Sequence, residues 1–330
     1  MASEKYLYII PGKSDKGCMI PSAVEIASPN LYLSKTRGFL IIKEEGGDLQ
    51  RLPLDDIGVL LLTSPRATLS TSLMNALAER GIITMLCDVK QRPASYLCPY
   101  QPHGEMAARL REQIKASLPL KKRLWQSVVK AKISHQASIL EILGRAHVNR
   151  LKKLSREVTS GDKENREAQA ARVYWTSLMG KEFRRQSRSG GCNTILDFGY
   201  GILRAATLRA IAGSGLNPSL GVSHSSGRNP YCLADDLLEP FRPLVDYAAY
   251  RLNKVNEVEL GAATKKLLGS LMTVKLATAA GASPTARSMS ILCQSLVRSY
   301  ETGRNELAIP LFPAGIAEHL EALWAEADFS

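Results

Sequence analysis

The sequence predicts an α+β protein in which a small β-rich N-terminal domain precedes a larger all-α domain. Three observations lead to this prediction. The chain has 330 residues, which suits two unequal domains. Short apolar runs between turns fill the first hundred residues, and helical periodicity begins at Met106. A turn-rich segment ending in Pro102, His103 and Gly104 separates the two patterns. The predicted domains are 1–103, with 1–30 as an unassigned extension, and 104–330.

The N-terminal domain is predicted to be rich in β-hairpins. Its apolar runs are short and bounded by turn residues, among them Gly46 and Gly47. One helix is expected, with Gly81 as its C-terminal cap, and it leads into a strongly apolar strand. The expected strands are 6–10, 31–34, 39–43, 57–62 and 82–87, and the expected helix is 69–80.

The second domain is predicted to consist almost entirely of helices. Apolar residues recur in it at helical spacing. Pro119 suits the first turn of a helix, because the N–H donor that proline lacks would be unpaired there in any case. The expected helices are 106–117, 119–133, 135–145, 163–182, 192–213, 233–253, 255–271 and 284–301.

The positive charge of the chain is confined to the second domain. The formal net charge is +12, yet residues 1–106 contain 11 Lys and Arg against 11 Asp and Glu. Residues 107–330 therefore contain 32 basic residues against 20 acidic ones. A basic domain beside a neutral one predicts that the second domain meets a polyanion while the first serves assembly. Nucleic acid is the leading candidate for the polyanion, and membrane lipid is the weaker one.

Two basic clusters are candidates for contact with a phosphate backbone. The first surrounds Trp125 and includes Lys130 and Lys132, although any one of its lysines could equally belong to a solvated helix face. The second, residues 181–191, reads KEFRRQSRSGG and is predicted to be a mobile basic loop because it is too polar to pack. The candidate DNA-contacting residues are Lys121, Lys122, Arg123, Arg184, Arg185, Arg188, Arg228 and Arg242.

The cysteines and the hydropathy pattern predict a cytoplasmic protein. The six cysteines lie far apart, several of them in apolar runs, which favours buried thiols in a reducing compartment. No apolar run approaches 18 residues, so no membrane-spanning helix is expected.

One carboxylate interrupts an apolar helical stripe. Glu167 shares a predicted helix face with Ala171, Tyr174 and Leu178, so its side chain is expected to point towards the core. A buried carboxylate costs several kcal/mol unless it is neutralised, paired or bound to a metal. An ion pair with a neighbouring cation, Lys163 or Arg172, explains Glu167 as well as a metal does.

A second polar group follows about 57 residues later. It contains His224 on a glycine-rich loop, followed by Asp235, Asp236 and Glu239. Carboxylates with one imidazole suit Mg²⁺ or Mn²⁺, and without a nearby pair of cysteines a structural zinc site is not expected. Periodicity places the three acidic residues opposite the apolar stripe of their helix, so by that criterion alone they would be exposed to solvent. Their combination with Glu167 in the basic domain favours a functional site.

Four motifs resemble the CRISPR-associated protein 1 integrases. Residues 167–175, EAQAARVYW, resemble that family's E-G-x-A-A-x-x-Y-F motif, although Ala168 stands where glycine often occurs. Residues 193–203, NTILDFGYGIL, resemble its N-x-x-L-x-Y-G-Y helix, with Phe198 in place of the first tyrosine. Residues 236–243, DLLEPFRP, resemble its D-L-x-E-x-F-R-P motif, and His224 matches the family's histidine.

The resemblance extends over residues 30–300. Residues 76–88 and 118–133 look most like the members that accompany single-effector type II loci. Residues 1–30 and 311–330 find no counterpart in the family and stay unassigned.

The resemblance implies a metal-dependent integrase that joins the free 3′-hydroxyl ends of short duplex DNA to a CRISPR repeat by transesterification, with endonuclease activity at the same site. It implies Glu167, His224 and Glu239 as ligands of Mg²⁺ or Mn²⁺, with Asp236 as a supporting catalytic acid. The implied partners are a second copy of the chain bound through the β domain, a dimer of CRISPR-associated protein 2, and the type II effector machinery. The alternatives are a stand-alone metal-dependent nuclease of branched DNA or RNA, and a non-catalytic DNA-binding scaffold.

Overall fold

The structure is a computed structural model of the chain, and it describes residues 7–9, 22–44, 47–99, 104–279, 281–327 and 329. The strands are β1 (Leu7–Ile9), β2 (Ser22–Ile26), β3 (Tyr32–Thr36), β4 (Phe39–Glu44), β5 (Gly47–Pro53), β6 (Ile57–Leu62), β7 (Thr68–Leu69), β8 (Ile83–Cys87), β9 (Pro93–Leu97), β10 (Lys275–Thr278) and β11 (Gly281–Pro284). The helices are α1 (Thr71–Glu79), α2 (Met106–Lys115), α3 (Leu118–Ile142), α4 (Val148–Glu157), α5 (Arg166–Met179), α6 (Cys192–Gly213), α7 (Cys232–Leu237), α8 (Arg242–Lys254), α9 (Ala262–Ser270), α10 (Thr285–Thr302) and α11 (Ile316–Glu326).

The predicted fold class is confirmed, because a β-rich N-terminal part precedes a mainly helical one. The N-terminal part contains two sheets, with strand orders β1-β2-β6-β8-β9 and β5-β4-β3-β7 among the described residues. Strands β3 and β4 form a predicted antiparallel hairpin, and β5, which was not predicted, pairs antiparallel with β4. Hairpins do not account for the whole domain, because β2, β6 and β8 pair in parallel. Strand β6 is buried along its whole length, as expected for a parallel strand covered on both faces.

The alternation of side chains along β6 divides the interior into two cores. Leu60 and Leu62 point into a core between the two sheets, whereas Val59 and Leu61 point into a core shared with the helices. The helical part therefore packs directly on one face of the larger sheet. Residues 1–30, left unassigned from the sequence, contribute β2 to that sheet.

Helix α6 is the central helix of the second part, and two glycines allow its close contacts. A Cβ atom on Gly201 would lie 2.4 Å from Cγ of Pro93 in β9, and one on Gly199 would lie 2.4 Å from Cγ1 of Val245 in α8. The helix thus packs against the sheet at one position and against α8 at another. Its observed bounds equal the predicted ones.

Other helices differ from the prediction. The predicted helices 119–133 and 135–145 are one helix, α3, whose N-terminus is capped by Ser117 and contains Pro119 in its first turn. The predicted helix 233–253 is interrupted after Leu237 by a short 3₁₀ turn, Glu239–Phe241. Helices α4 and α11 were not predicted, and the hairpin β10–β11 lies within the otherwise helical part.

The sequence predicts buried thiols and no membrane-spanning helix. Cys192, Cys232 and Cys293 are buried and free, as expected, whereas Cys98 is exposed. Within the described parts of the chain, no helix is both long and apolar enough to cross a membrane. The predicted linker residues 100–103 lie outside the described residues.

Candidate active site

Glu167 lies in the first turn of α5, whose start is fixed by a nearby aspartate. Asp162 accepts hydrogen bonds from the backbone N–H groups of Arg166 at 2.8 Å and Glu167 at 3.0 Å. These bonds satisfy donors that a helix N-terminus leaves unpaired. The Glu167 side chain is 26% exposed, so it lies at the edge of the core and not within it.

The second carboxylate, Glu239, comes from the interruption between α7 and α8. Pro240 cannot donate the hydrogen bond that a continuous α-helix needs, and the chain forms a 3₁₀ turn there. The turn directs Glu239 inward, and its side chain is only 7% exposed. Periodicity predicted a solvent-facing acidic group, and this prediction is wrong: Asp235, Asp236 and Glu239 are all buried.

A lysine joins the two carboxylates. Nζ of Lys132, in α3, lies 2.6 Å from Oε1 of Glu167 and 2.6 Å from Oε2 of Glu239. Burial alone would lower the pKa of Lys132, but Glu239 and Glu167 raise it above its ordinary value. The partner of Glu167 is therefore neither Lys163 nor Arg172, as the simplest interpretation of the sequence expected, but a lysine 35 residues earlier.

The other oxygen of Glu239 is bound by an arginine. Nε of Arg242 donates to Oε1 of Glu239 at 2.8 Å, and its guanidinium lies over the ring of Tyr200, 4.4 Å from the centroid. Burial alone would raise the pKa of Glu239, but Arg242 and Lys132 lower it to about 2. Glu239 is thus anionic at neutral pH.

His224 and Asp236 form a second pair beside this group. Nδ1 of His224 lies 2.5 Å from Oδ1 of Asp236. The other oxygen of Asp236 accepts from the backbone N–H groups of Val222 at 2.6 Å and Ser223 at 2.9 Å, and Asp236 is completely buried. The hydrogen bond to Asp236 raises the pKa of His224 above its ordinary value. Because it engages Nδ1, it leaves Nε2 as the ring nitrogen available to another group.

The loop that carries His224 requires a glycine. A Cβ atom on Gly221 would lie 2.2 Å from the carbonyl oxygen of His224 and 2.8 Å from Oδ2 of Asp236. The ring of Trp125 supports the imidazole from the other side in an edge-to-face contact, with the ring centroids 5.7 Å apart. Backbone, carboxylate and indole together fix the position of the imidazole.

Beneath the two carboxylates lies a buried polar network. The hydroxyl of Tyr200 donates to Oδ1 of Asp246 in α8. Burial raises the pKa of Asp246 to about 6, against the opposing hydrogen bond from Tyr200. Arg242 is thus held from both sides, by Glu239 and by the ring of Tyr200.

The segment after α10 also reaches the site. Nδ1 of His135, in α3, lies 2.7 Å from the carbonyl oxygen of Pro240, next to Glu239. The ring of Phe312 stacks on His135, with centroids 3.9 Å apart and planes 5° apart. Burial lowers the pKa of His135 to about 4, so the imidazole is neutral at pH 7. Phe312 lies in the tail that the sequence left unassigned, and it packs on a group that supports the 3₁₀ turn.

An open depression of about 520 Å³ adjoins His224. Lys121, Arg228, Ser225 and Ser226 are among the residues that line it. Of the other predicted DNA-contacting residues, Arg123, Arg184 and Arg188 are exposed, whereas Arg242 is turned inward to Glu239.

The basic loop 181–191 is attached to α6 by hydrogen bonds. Asp197 pairs with Arg185 at 2.6 Å and accepts from the backbone N–H of Arg188 at 2.8 Å. Asn193 accepts from Arg185 and donates to the carbonyl oxygen of Arg184. Most of the segment is exposed, as its polarity predicts, but two polar side chains of α6 bind part of its backbone.

The donor set suits a hard divalent cation. Two carboxylates already converge on one positive charge, and an imidazole oriented by a carboxylate is close enough for the charge of Glu239 to help raise its pKa. Nevertheless, within the described ranges no group of three or more His, Cys, Asp or Glu side chains is close enough to hold a metal ion. Lys132 is the cation that Glu167 and Glu239 share in this structure.

Lys132 was not recognised as part of the site from the sequence, although a signal existed. It belongs to the basic cluster around Trp125 that the sequence suggests for phosphate contact, yet Val128 and Gln136, four residues before and after it, are both buried. A charged residue within an apolar helical stripe is the pattern that identified Glu167. Applied to α3, it identifies Lys132 as a partner for that carboxylate.

Comparisons with known proteins agree with these observations. A family model described as CRISPR associated protein Cas1 matches residues 24–278. The CRISPR-associated endonuclease Cas1 of Neisseria meningitidis serogroup C (strain 8013) is 38% identical over 221 residues, which cover 67% of this chain and 72% of that protein.

Two solved structures share the fold at low sequence identity. A casposase bound to integration product has a TM-score of 0.72 at 18% identity, covering 87% of this chain and 92% of the other. A chain of a Cas6-RT-Cas1–Cas2 complex also has a TM-score of 0.72 at 18% identity, covering 91% of this chain and 36% of the other. The family match extends over most of the chain, and the protein belongs to the CRISPR-associated Cas1 family.

Proposed function

We propose that the protein is a metal-dependent DNA integrase with endonuclease activity, which joins the 3′-hydroxyl ends of short duplex DNA to a CRISPR repeat. The observation that carries the proposal is the convergence of Glu167 and Glu239 on one cation beside the His224–Asp236 pair. The names of the related Cas1 endonuclease and of the casposase bound to integration product support both activities.

In this proposal Glu167, Glu239 and His224 would hold Mg²⁺ or Mn²⁺. A bound divalent ion would stabilise the charge developing on the phosphate oxygens and lower the pKa of the attacking hydroxyl. Asp236 fixes the tautomer and orientation of His224. Arg242 keeps Glu239 ionised, and a carboxylate must be ionised to bind a metal.

DNA is proposed to approach the depression next to His224. Lys121 and Arg228 line it, and Arg123, Arg184 and Arg188 are exposed on the same basic part of the chain. We expect binding to weaken steeply as salt rises, because each phosphate contact releases a counterion. Replacing Lys121 and Arg228 together by glutamine should make this salt dependence shallower, as a fluorescence-anisotropy titration at several salt concentrations would show.

The proposed assembly contains further copies and partners. The N-terminal part has no excess of charge in its sequence, which suits contact with protein rather than phosphate. We infer that it forms a homodimer there, that a dimer of CRISPR-associated protein 2 joins two such dimers, and that type II effector proteins take part. The related chain from a Cas6-RT-Cas1–Cas2 complex supports the second partner.

A strand-transfer assay tests the function. The components are labelled duplex DNA with free 3′-hydroxyls, a supercoiled plasmid that bears a leader and a repeat, divalent metal, and the small partner protein. Wild type is compared with Glu167→Gln and with Glu164→Gln, whose side chain is exposed three residues earlier. We expect joining by wild type and Glu164→Gln, no joining without metal, and loss of joining in Glu167→Gln with DNA binding retained.

The products distinguish the alternatives. Metal-dependent cleavage without any joined strand would replace the proposal with a stand-alone nuclease of branched DNA or RNA. DNA binding without joining or cleavage, unchanged in Glu167→Gln, would identify a non-catalytic scaffold.

A further inference from the structure

Both oxygens of Glu239 are already bound by cations. Nε of Arg242 donates to Oε1 at 2.8 Å, and Nζ of Lys132 lies 2.6 Å from Oε2. Nζ of Lys132 also lies 2.6 Å from Oε1 of Glu167. Metal–oxygen distances for Mg²⁺ are about 2.0–2.1 Å, so an ion shared by these two carboxylates would need the space that the ammonium now fills.

Of the two cations bound to Glu239, Lys132 is the one that can leave. The Arg242 guanidinium is held over Tyr200 at 4.4 Å, and Tyr200 is in turn bound to Asp246. The contacts described for Lys132 are the two carboxylates, and its ammonium stands at the end of a flexible four-carbon chain with 13% of the side chain exposed. Arg242 is therefore fixed in place, whereas Lys132 can move by rotating about its own bonds.

We propose that Lys132 is an internal counter-ion that occupies the metal position between Glu167 and Glu239 and is displaced when a divalent ion binds. It is a positioning residue: without metal it neutralises two carboxylates that would otherwise repel each other, and it competes with the metal for them. The inference rests on the proposed function, since it assumes that these carboxylates bind metal.

Metal affinity tests the competition directly. Mn²⁺ binding is measured by calorimetry on wild type, Lys132→Met, Lys132→Arg and the same-helix control Lys130→Met, without DNA. An opposite charge within about 4–6 Å changes the pKa of a neighbouring carboxyl group by about 1–3 units. Removing the competing charge of Lys132 should have an effect of similar size on metal affinity, so we expect Lys132→Met to bind Mn²⁺ about tenfold or more tightly than wild type. Lys132→Arg and Lys130→Met should bind like wild type. Unchanged or weaker binding by Lys132→Met overturns the inference.

A second measurement uses wild type alone and does not depend on how a variant folds. Lysines are reductively methylated with and without saturating Mg²⁺, and the rate at Lys132 is followed by peptide mass spectrometry. We expect slow labelling of Lys132 without metal and a rate that rises towards that of Lys130 with metal. A Lys132 rate that does not respond to Mg²⁺, while the protein binds the ion, overturns the displacement.

The inference and the proposed function fail in different ways. If strand transfer depends on metal but the labelling rate of Lys132 does not change with Mg²⁺, only the counter-ion role is excluded. Absence of both metal binding and metal-dependent activity removes both proposals. Glu167→Gln should weaken Mn²⁺ binding. If it does not, the metal site does not include this carboxylate, and Lys132 cannot compete with the metal for it.

Discussion

Lys265 and Lys132 both bind carboxylates, but Lys265 is buried whereas Lys132 keeps 13% of its side chain exposed, and their surroundings differ. Lys265 in α9 pairs with Glu25 in β2 at 2.7 Å, and the two side chains are 6% and 2% exposed. Thr63 donates to the same carboxylate at 2.5 Å. Lys132 instead binds two carboxylates, Glu167 and Glu239.

The difference separates an ion pair with a structural role from the group that we propose to be functional. The Lys265–Glu25 pair is balanced in charge, closed to solvent, and joins the larger sheet to the helical part. The two carboxylates at Lys132 are matched by two cations, Lys132 and Arg242, but this group is open to solvent at Glu167, which is 26% exposed. A closed pair of opposite charges leaves no path for a further ion, whereas a partly exposed carboxylate bound to a mobile lysine can accept one in its place.

The largest expected effect on stability is at Lys265. Lys265→Met leaves Glu25 buried and unpaired, and removal of one partner of a buried pair costs about 3–5 kcal/mol. Lys132→Met should cost less, because Arg242 still neutralises Glu239 and Glu167 is partly exposed. Urea unfolding of the two variants measures the difference. Equal losses of unfolding free energy would contradict the distinction between the two lysines.

The double variant Glu25→Leu/Lys265→Met is the control for that experiment. Replacing a whole buried ion pair by apolar residues is often close to neutral, so the double variant should recover most of the stability lost by Lys265→Met. If it is as unstable as the single variant, the loss comes from packing and not from an unpaired charge.

A smaller, pH-dependent effect is expected at Asp246, beneath the site. Burial raises its pKa from 3.8 to about 6, so the folded state holds the proton more tightly than the unfolded state does. This contribution therefore lowers stability as pH rises from about 4 to about 6, by about 3 kcal/mol for a shift of about two units. Asp246→Asn should be more stable than wild type above pH 6 and similar to it below pH 4.

Unfolding free energies of the two proteins, measured across this pH range, check the prediction. A constant difference between them at every pH would contradict it. Glu239 has a pKa lowered to about 2, so its contribution has the opposite sign and is lost only as pH falls below about 4.5. That contribution is common to both proteins and cancels in the comparison.

The smallest expected effect is at Gly221. A methyl group there would collide with the carbonyl oxygen of His224 and with Asp236, and overpacking of this kind costs about 1–3 kcal/mol. Because these atoms orient the imidazole, we expect Gly221→Ala to lower strand transfer about 10- to 100-fold, the usual effect of disturbing the groups behind a metal ligand. Gly213→Ala is the control, since a Cβ atom there meets nothing within 4 Å. Equal activities of the two variants would contradict the prediction.

Much of the fold was predictable because local patterns determine it. The continuously apolar run at β6 and the helical spacing of apolar residues in α6 predict the first and last residues of both elements. Local patterns did not reveal the parallel pairing of β2 with β6, since strands far apart in sequence do not specify their direction. The break before Glu239 was signalled by Pro240 and Pro243, but the apolar period continues through the break and favoured one helix.

The sequence singles out the carboxylates that the structure brings together, but it predicts neither their contacts nor the lysine between them. Glu167 stood out because its charge interrupts an apolar stripe, whereas Asp236 and Glu239 were expected on an exposed face and are buried by elements from elsewhere in the chain. The bond from Lys132 joins α3 to α5 and to the 3₁₀ turn, so it exists only in the folded protein. Its metal ligands remain a prediction.

The most direct test compares two glutamates that each pair with a lysine. Strand transfer and unfolding free energy are measured for Glu25→Gln and Glu167→Gln under conditions in which both are folded. We predict that Glu167→Gln loses at least about 100-fold in joining and little stability, because its carboxylate serves the reaction. Glu25→Gln should lose stability and keep its joining activity. Full activity in Glu167→Gln, or equal loss of activity in both variants, would contradict the account.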